Sequence, residues 1–146
     1  MTQTPECPLC AAAGGILVHR GEKLRVIRVE DADFPAFYRV IWNAHVTELS
    51  DLAPADRAEL LNEVVRVERV LRTRLQPTKV NLASLGNMVP HLHWHVIARF
   101  AWDSHFPEPV WGSRQREVAP EAVLRLPIGL QQLDALVRAD NQPSCT

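Results

Sequence analysis

The sequence contains little that would bind nucleic acid or cross a membrane. Lys and Arg number 16 and Asp and Glu number 17 among 146 residues, which gives a formal net charge of −1 at pH 7. There is no excess positive charge to hold nucleic acid without sequence preference. No apolar run approaches the roughly 20 residues that span a bilayer. We therefore expect neither nucleic acid nor a membrane among the partners.

Cysteine is scarce as well, with three in the chain, and two of them, Cys7 and Cys10, form a Cys-Pro-Leu-Cys motif. An odd count argues against a disulfide framework. The first residues have neither a basic start nor an apolar stretch, so no signal peptide is expected. These absences predict a cytoplasmic protein.

The rest of the composition is ordinary, and the pattern predicts one α+β domain over residues 1–146. Hydrophobic residues make up 47% of the chain, and there is no repeat or mid-chain linker. Apolar residues recur every three or four positions over 54–75, which predicts a long helix that ends before Pro77. A shorter helix is predicted over 126–137. Strands are predicted at 16–19, 24–29, 37–42, 80–85 and 91–100. Their short connections favour an antiparallel sheet with a helix on one face.

Three histidines alternate with apolar residues in the segment His91-Leu92-His93-Trp94-His95-Val96-Ile97. Side chains alternate faces along a strand, so the three imidazoles share one face and the residues between them face the core. Adjacent imidazoles repel each other if more than one is charged. This pattern therefore indicates a function more strongly than a structural role.

Two chemistries fit this pattern, and the spacing alone does not decide between them. A neutral imidazole can attack phosphorus and form a covalent phospho-imidazole, while its neighbours hydrogen-bond the phosphoryl oxygens or protonate the leaving group. Alternatively, His-x-His on a strand can bind a catalytic zinc ion with a third ligand and an open water position.

The triad segment resembles the signature of the histidine triad (HIT) family, His-φ-His-φ-His-φ-φ, in which φ is apolar. The order of other motifs is also similar to that of the family: a Cys-x-x-Cys pair, a histidine that ends a strand before the long helix, and an asparagine and a glycine before the triad. Here these are Cys7, Cys10, His45, Asn81 and Gly86. The resemblance covers residues of about 7–111 and leaves 112–146 as a C-terminal extension with a short helix.

The resemblance implies a HIT-like fold, with an antiparallel sheet of about five strands and one long helix, usually in a homodimer. It also implies a nucleotide hydrolase or transferase without an organic cofactor. Such enzymes act at the α-phosphate of purine nucleotide conjugates, either dinucleoside polyphosphates or nucleoside phosphoramidates. His93 would be the nucleophile that carries the nucleotidyl group, with His91 and His95 beside it. The substrate-binding residues that it implies are Asn81, Asn87 and Asp31.

The resemblance further implies a structural zinc ion, because some bacterial relatives bind zinc through four matching positions. These are Cys7, Cys10, His45 and His91 in this sequence. Two thiolates and two imidazoles form a closed tetrahedral set, which is typical of structural rather than catalytic zinc.

Two features depart from the family pattern, one in the loop before the triad and one in the third predicted strand. Asn87 and Met88 stand where the family commonly has Gln followed by a hydroxyl residue, and Phe37 stands where it often has His. These departures predict an altered leaving-group preference or rate, and they leave the nucleophile in place. They also support an alternative, a regulatory nucleotide-binding module with little or no turnover. A third hypothesis is a zinc enzyme that uses all three triad histidines as metal ligands.

Overall fold

The structure is a computed structural model that describes residues 3–139. One antiparallel sheet has the strand order β1-β2-β3-β5-β4. Its strands are β1 Ile16–Arg20, β2 Leu24–Arg28, β3 Phe37–Trp42, β4 Lys79–Ala83 and β5 His93–Arg99. The helices are α1 Pro8–Ala11, α2 Pro54–Leu75 and α3 Leu130–Ala139, with short 3-10 helices at Leu49–Asp51 and Ala122–Arg125. The predicted α+β class, five-stranded sheet, long helix and short C-terminal helix are confirmed.

The long helix α2 has the bounds that the sequence predicts. Pro54 occupies its first turn, and Gln76 adopts a left-handed conformation (φ 48°) that ends it. Its predicted apolar face packs against β3 and β5. The buried residues of that face include Leu60, Val64, Val67, Leu71 and Leu75. Because α2 covers one face of the sheet, the histidines of β5 lie on the other. Within residues 3–139, no helix has the length and apolar character needed to cross a membrane.

Two strand boundaries differ from the prediction by two residues, and the others agree to within one residue. Strand β5 begins at His93 rather than at 91, because the chain turns tightly there and the main-chain N–H of His91 donates to the carbonyl of Val89 at 2.8 Å. Strand β4 ends at Ala83 because the Ser84 hydroxyl donates to the carbonyl of His93 at 2.8 Å, in place of a further main-chain pair. The prediction therefore extended both strands too far, at the C-terminal end of β4 and at the N-terminal end of β5.

The C-terminal helix begins at Leu130, four residues later than predicted. The residue before Pro127 is disfavoured in helical conformation, which explains the delay. A buried carboxylate holds α3 to the sheet: Asp134 accepts hydrogen bonds from Arg28 Nε at 2.9 Å and from the Tyr38 hydroxyl at 2.7 Å. The helix thereby covers part of the sheet face that α2 also packs on.

Candidate active site and metal centre

The three alternating histidines are all buried, and they lie at the N-terminal end of β5 or just before it. Their exposed fractions are 1% for His91, 7% for His93 and 4% for His95. The apolar residues between them pack into the core on the α2 side of the sheet. The predicted alternation of faces is therefore confirmed, although His91 precedes the strand.

The tautomer of His93 is fixed by one main-chain group. Its Nδ1 lies 2.6 Å from the carbonyl oxygen of His91. A carbonyl oxygen only accepts hydrogen bonds, so Nδ1 carries the proton and Nε2 keeps its lone pair. Burial lowers the pKa of His93, opposed by this hydrogen bond and reinforced by the charge of Arg39. His93 is therefore neutral near pH 7, with a nitrogen available for attack.

His95 has the opposite tautomer. Arg39 Nε, which always carries a proton, donates to His95 Nδ1 at 3.3 Å, so the proton of the neutral ring is on Nε2. Burial, then the charges of Arg39 and His93, lower the pKa of His95 to about 3. The rings of His93 and His95 are nearly perpendicular, with centroids 4.9 Å apart. His93 therefore offers a nitrogen lone pair, and the neighbouring ring of His95 offers an N–H donor.

These two rings line a cavity of about 450 Å³, a size within the range of small-molecule sites. Other lining residues are Arg39, Asn87, Met88 and Trp111. Trp111 lies edge-on to His95 with centroids 5.0 Å apart, and Phe37 packs on the same ring at 5.5 Å. Met88 is 93% exposed and forms an open, apolar rim of this cavity.

The structure brings one of the three predicted substrate-binding residues to this cavity. Asn87 lines it. Asn81 instead accepts a hydrogen bond from Arg99 through its side-chain oxygen at 2.8 Å. Asp31 lines a separate cavity of about 530 Å³, where its carboxylate accepts the main-chain N–H of Asp33 at 2.9 Å. Contacts of Asn81 and Asp31 with a substrate stay predictions.

The four predicted metal ligands come together beside the triad. The ligand atoms of Cys7, Cys10, His45 and His91 all lie within 4.8 Å of one another. Cys10 Sγ is 3.4 Å from His45 Nδ1 and 3.5 Å from His91 Nδ1, and Cys7 Sγ is 3.5 Å from His91 Nδ1. Tetrahedral Zn²⁺, with bonds of about 2.3 Å to sulfur and 2.05 Å to nitrogen, separates these donors by about 3.5 Å. The four residues thus form a site that can hold a metal ion.

Neighbouring groups hold these ligands in place. The Nε2–H of His91 donates to the carbonyl of Trp42 at 2.6 Å, which leaves the Nδ1 lone pair facing the sulfurs. Buried Arg25 donates to the carbonyls of Leu9 at 2.6 Å and Ala13 at 2.9 Å, and so fixes the short helix that carries the cysteines. Both ring nitrogens of His91 are engaged. This residue therefore contributes its carbonyl, and not its imidazole, to the arrangement of His93.

A catalytic metal held by the triad is disfavoured. Among residues 3–139, no second cluster of three or more potential ligands comes together, and neither His93 nor His95 belongs to the first. The sequence analysis did not identify Arg39, whose Nε donates to His95 Nδ1. Alternation along β3 places Arg39 on the histidine face, and that signal could have identified it.

Comparisons with known proteins agree with this geometry. The family model described as "HIT domain" matches residues 14–102. A curated "AP-4-A phosphorylase" from Mycobacterium tuberculosis is 27% identical over 115 residues, which cover 75% of this chain and 59% of that protein. The chain thus spans about three-fifths of the length of this relative.

Two solved structures illustrate the likeness of the fold. A histidine triad protein from Bradyrhizobium japonicum is 30% identical, with a TM-score of 0.70 over 87% of this chain and 90% of that one. A protein described as a Zn-bound histidine triad family protein, from Mycobacterium smegmatis, is 21% identical, with a TM-score of 0.60 over 92% of this chain and 91% of that one. At that identity, the second likeness concerns the fold alone.

Proposed function

The chain belongs to the histidine triad (HIT) family, and from that membership we propose that it cleaves a purine nucleotide conjugate at the α-phosphate through a covalent nucleotidyl–His93 intermediate. The substrate is a dinucleoside polyphosphate or a nucleoside phosphoramidate. The pair of opposite tautomers on His93 and His95 carries this proposal. The name of the Mycobacterium tuberculosis relative supports a polyphosphate substrate.

In the first step, the Nε2 lone pair of His93 attacks the α-phosphorus and forms a P–N bond. The bond from phosphorus to the leaving oxygen or nitrogen breaks, and its electron pair departs with the leaving group. A leaving nitrogen takes up a proton from solvent and departs as the neutral amine. The hydrogen bond from His93 Nδ1 to the carbonyl of His91 stabilises the positive charge that develops on the ring. The Nε2–H of His95 donates to a phosphoryl oxygen and stabilises its charge.

In the second step, an acceptor oxygen attacks the same phosphorus, and the P–N electron pair returns to His93. If the acceptor is water, its proton passes to solvent and the product is a nucleoside monophosphate. If the acceptor is inorganic phosphate, the product is a nucleoside diphosphate. Because the curated relative is named a phosphorylase, both acceptors belong in the test.

The metal bound by the four-residue cluster is, in this proposal, a structural Zn²⁺. Cys7, Cys10, His45 and His91 supply two thiolates and two imidazoles, the donor set that zinc prefers, and they fill all four tetrahedral positions. The bound ion supplies a cross-link between α1 and the sheet.

The functional unit is, in this proposal, a homodimer in the cytoplasm. The edge strand β4 exposes Leu82, and α2 exposes Leu61 and Val65, which are apolar side chains that a second copy can cover. The free thiols of Cys7 and Cys10 are typical of a reducing compartment such as the cytoplasm. Light scattering during size-exclusion chromatography should therefore give twice the chain mass of 16.5 kDa.

A nucleotide-binding module with little turnover is the second candidate. Met88 lies at the open rim of the cavity and offers no hydroxyl to a phosphate, and Phe37 packs on His95 where the family often has a polar histidine. These replacements can slow phosphoryl transfer and still leave the cavity able to hold a nucleotide.

The deciding experiment measures products from diadenosine tetraphosphate and from adenosine phosphoramidate, with their guanosine counterparts, in the presence and absence of inorganic phosphate. We expect AMP or ADP from wild-type protein and none from His93→Ala. His19→Ala is the matched control, because His19 lies on β1 away from the cavity. Nucleotide binding without product from any substrate would support the binding module instead.

A further inference from the structure

Arg39 is partly buried and has no acidic partner among residues 3–139. Buried Arg25 and Arg99 are hydrogen-bonded through Nε and both terminal amino groups. Buried Arg28 pairs through Nε with the carboxylate of Asp134. Arg39 is half-buried, and its one hydrogen bond to the described part of the chain goes to His95 Nδ1. Within the described residues 3–139, no carboxylate lies within ion-pair distance of Arg39.

The position of Arg39 relative to the nucleophile is set by the sheet. Arg39 on β3 is the direct register partner of His95 on β5. It lines the same cavity as His93, and its guanidinium lies 5.6 Å from the centre of the Phe37 ring. The Phe37 ring and the His95 hydrogen bond hold the guanidinium at the cavity wall. Its two terminal amino groups have no acceptor among the described residues.

An unpaired guanidinium in such a place favours an anionic ligand. Removing a charge from water is costly unless an opposite charge and hydrogen bonds compensate. Arginine offers five N–H donors in a planar fork that matches two oxygens of one phosphate. Only one of these donors is used within the described protein, since Nε bonds to His95. Met88 supplies no hydroxyl at the rim, so the guanidinium is the strongest donor group facing this cavity.

We propose that Arg39 is the phosphate-binding residue of this site, holding non-bridging oxygens of the substrate's phosphates beside His93. The nucleoside part of this ligand rests on the proposed function. The phosphate part rests only on the geometry of the cavity. Arg39 then has two roles. It binds the phosphate through its terminal amino groups, and through Nε it keeps the proton of His95 on the nitrogen that faces the substrate.

Calorimetric titration of the intact metal-loaded protein tests this inference with three probes: AMP, adenosine and inorganic tripolyphosphate. The variants are Arg39→Gln, Arg39→Lys and the control Arg69→Gln, which removes an exposed charge of α2. We expect Arg39→Gln to weaken AMP and tripolyphosphate binding by about 10- to 100-fold, the range of a charge-assisted hydrogen bond. Adenosine affinity should stay the same, Arg39→Lys should recover part of the loss, and Arg69→Gln should bind as wild type.

The outcomes separate this inference from the proposed function. Arg39→Gln protein that binds AMP and tripolyphosphate as tightly as wild type overturns the inference. Equal losses for adenosine and AMP also overturn it, because they show a structural role. Arg39-dependent binding of tripolyphosphate without any binding of AMP or adenosine keeps the phosphate site and refutes the purine nucleotide. Wild-type protein that binds none of the three probes refutes both.

Discussion

The neutral, buried imidazole of His95 predicts that the fold loses stability in mild acid. Burial, then Arg39 and His93, hold the pKa of His95 at about 3, whereas the same group in an unfolded chain titrates near 6.5. Between these two values the unfolded state binds a proton that the folded state excludes. The stability that His95 contributes is therefore complete above about pH 6.5 and is lost as the pH falls towards the folded value.

The size of this effect follows from the two pKa values. A group that titrates near 6.5 when unfolded, and well below 5 when folded, lowers the free energy of unfolding by about 1.9 kcal/mol between pH 7 and pH 5. For a chain of 146 residues, that loss corresponds to a decrease of about 4–8 °C in Tm.

Guanidinium unfolding at pH 7 and pH 5, on wild type and on His95→Asn, measures the effect. The Asn side-chain oxygen can still accept the hydrogen bond from Arg39 Nε, but the amide does not titrate. Acid also protonates carboxylates and the metal ligands, but it does so in both proteins. The difference between the two proteins in the change of unfolding free energy therefore isolates His95. We expect the free energy of unfolding to fall by about 2 kcal/mol more in wild type than in the variant between pH 7 and pH 5. Equal losses would refute the reasoning, because His95 would then titrate normally in the fold.

Two further predictions concern the metal centre and α3. Cys10→Ala should reduce zinc, measured by elemental analysis, from about one ion per chain to near zero and lower Tm; unchanged zinc content would contradict the four-ligand site. Asp134→Ala should lower the free energy of unfolding by about 3–5 kcal/mol in denaturant titrations, because Arg28 stays buried without its carboxylate and the Tyr38 hydroxyl loses its acceptor. A loss below 1 kcal/mol would show that this ion pair does not hold α3 to the sheet.

Much of the fold follows from local patterns in the sequence. The period of apolar residues predicted α2 to the residue, and alternation predicted which side of β5 faces the core. The predicted start of β5 was wrong because, besides the tight turn at His91, the main-chain N–H of Leu92 donates to the distant carbonyl of Val46 at 2.8 Å. Such tertiary hydrogen bonds leave no periodic signal in the sequence.

The candidate site, like the fold, could be predicted only in part from the sequence. The triad was identifiable because its residue types and spacing are unusual, and the four metal ligands were implied by the resemblance to the HIT family. The tautomers of His93 and His95 were not, since they depend on a carbonyl and on Arg39, which reach the rings through the geometry of the turn and the register of β3 with β5. The surroundings of Asn81 and Asp31 likewise depend on tertiary neighbours: Arg99 for the first, and a separate cavity for the second.

The covalent intermediate on His93 is the central claim, and mass spectrometry of the intact protein under single-turnover conditions tests it most directly. Enzyme in excess is mixed with diadenosine tetraphosphate or adenosine phosphoramidate and quenched at short times, with His93→Ala alongside. The account predicts a transient gain of one adenylyl group on wild type, located on His93 by peptide mapping and absent from the variant. Product release with no adduct at any time, or an adduct that persists in His93→Ala, would contradict it.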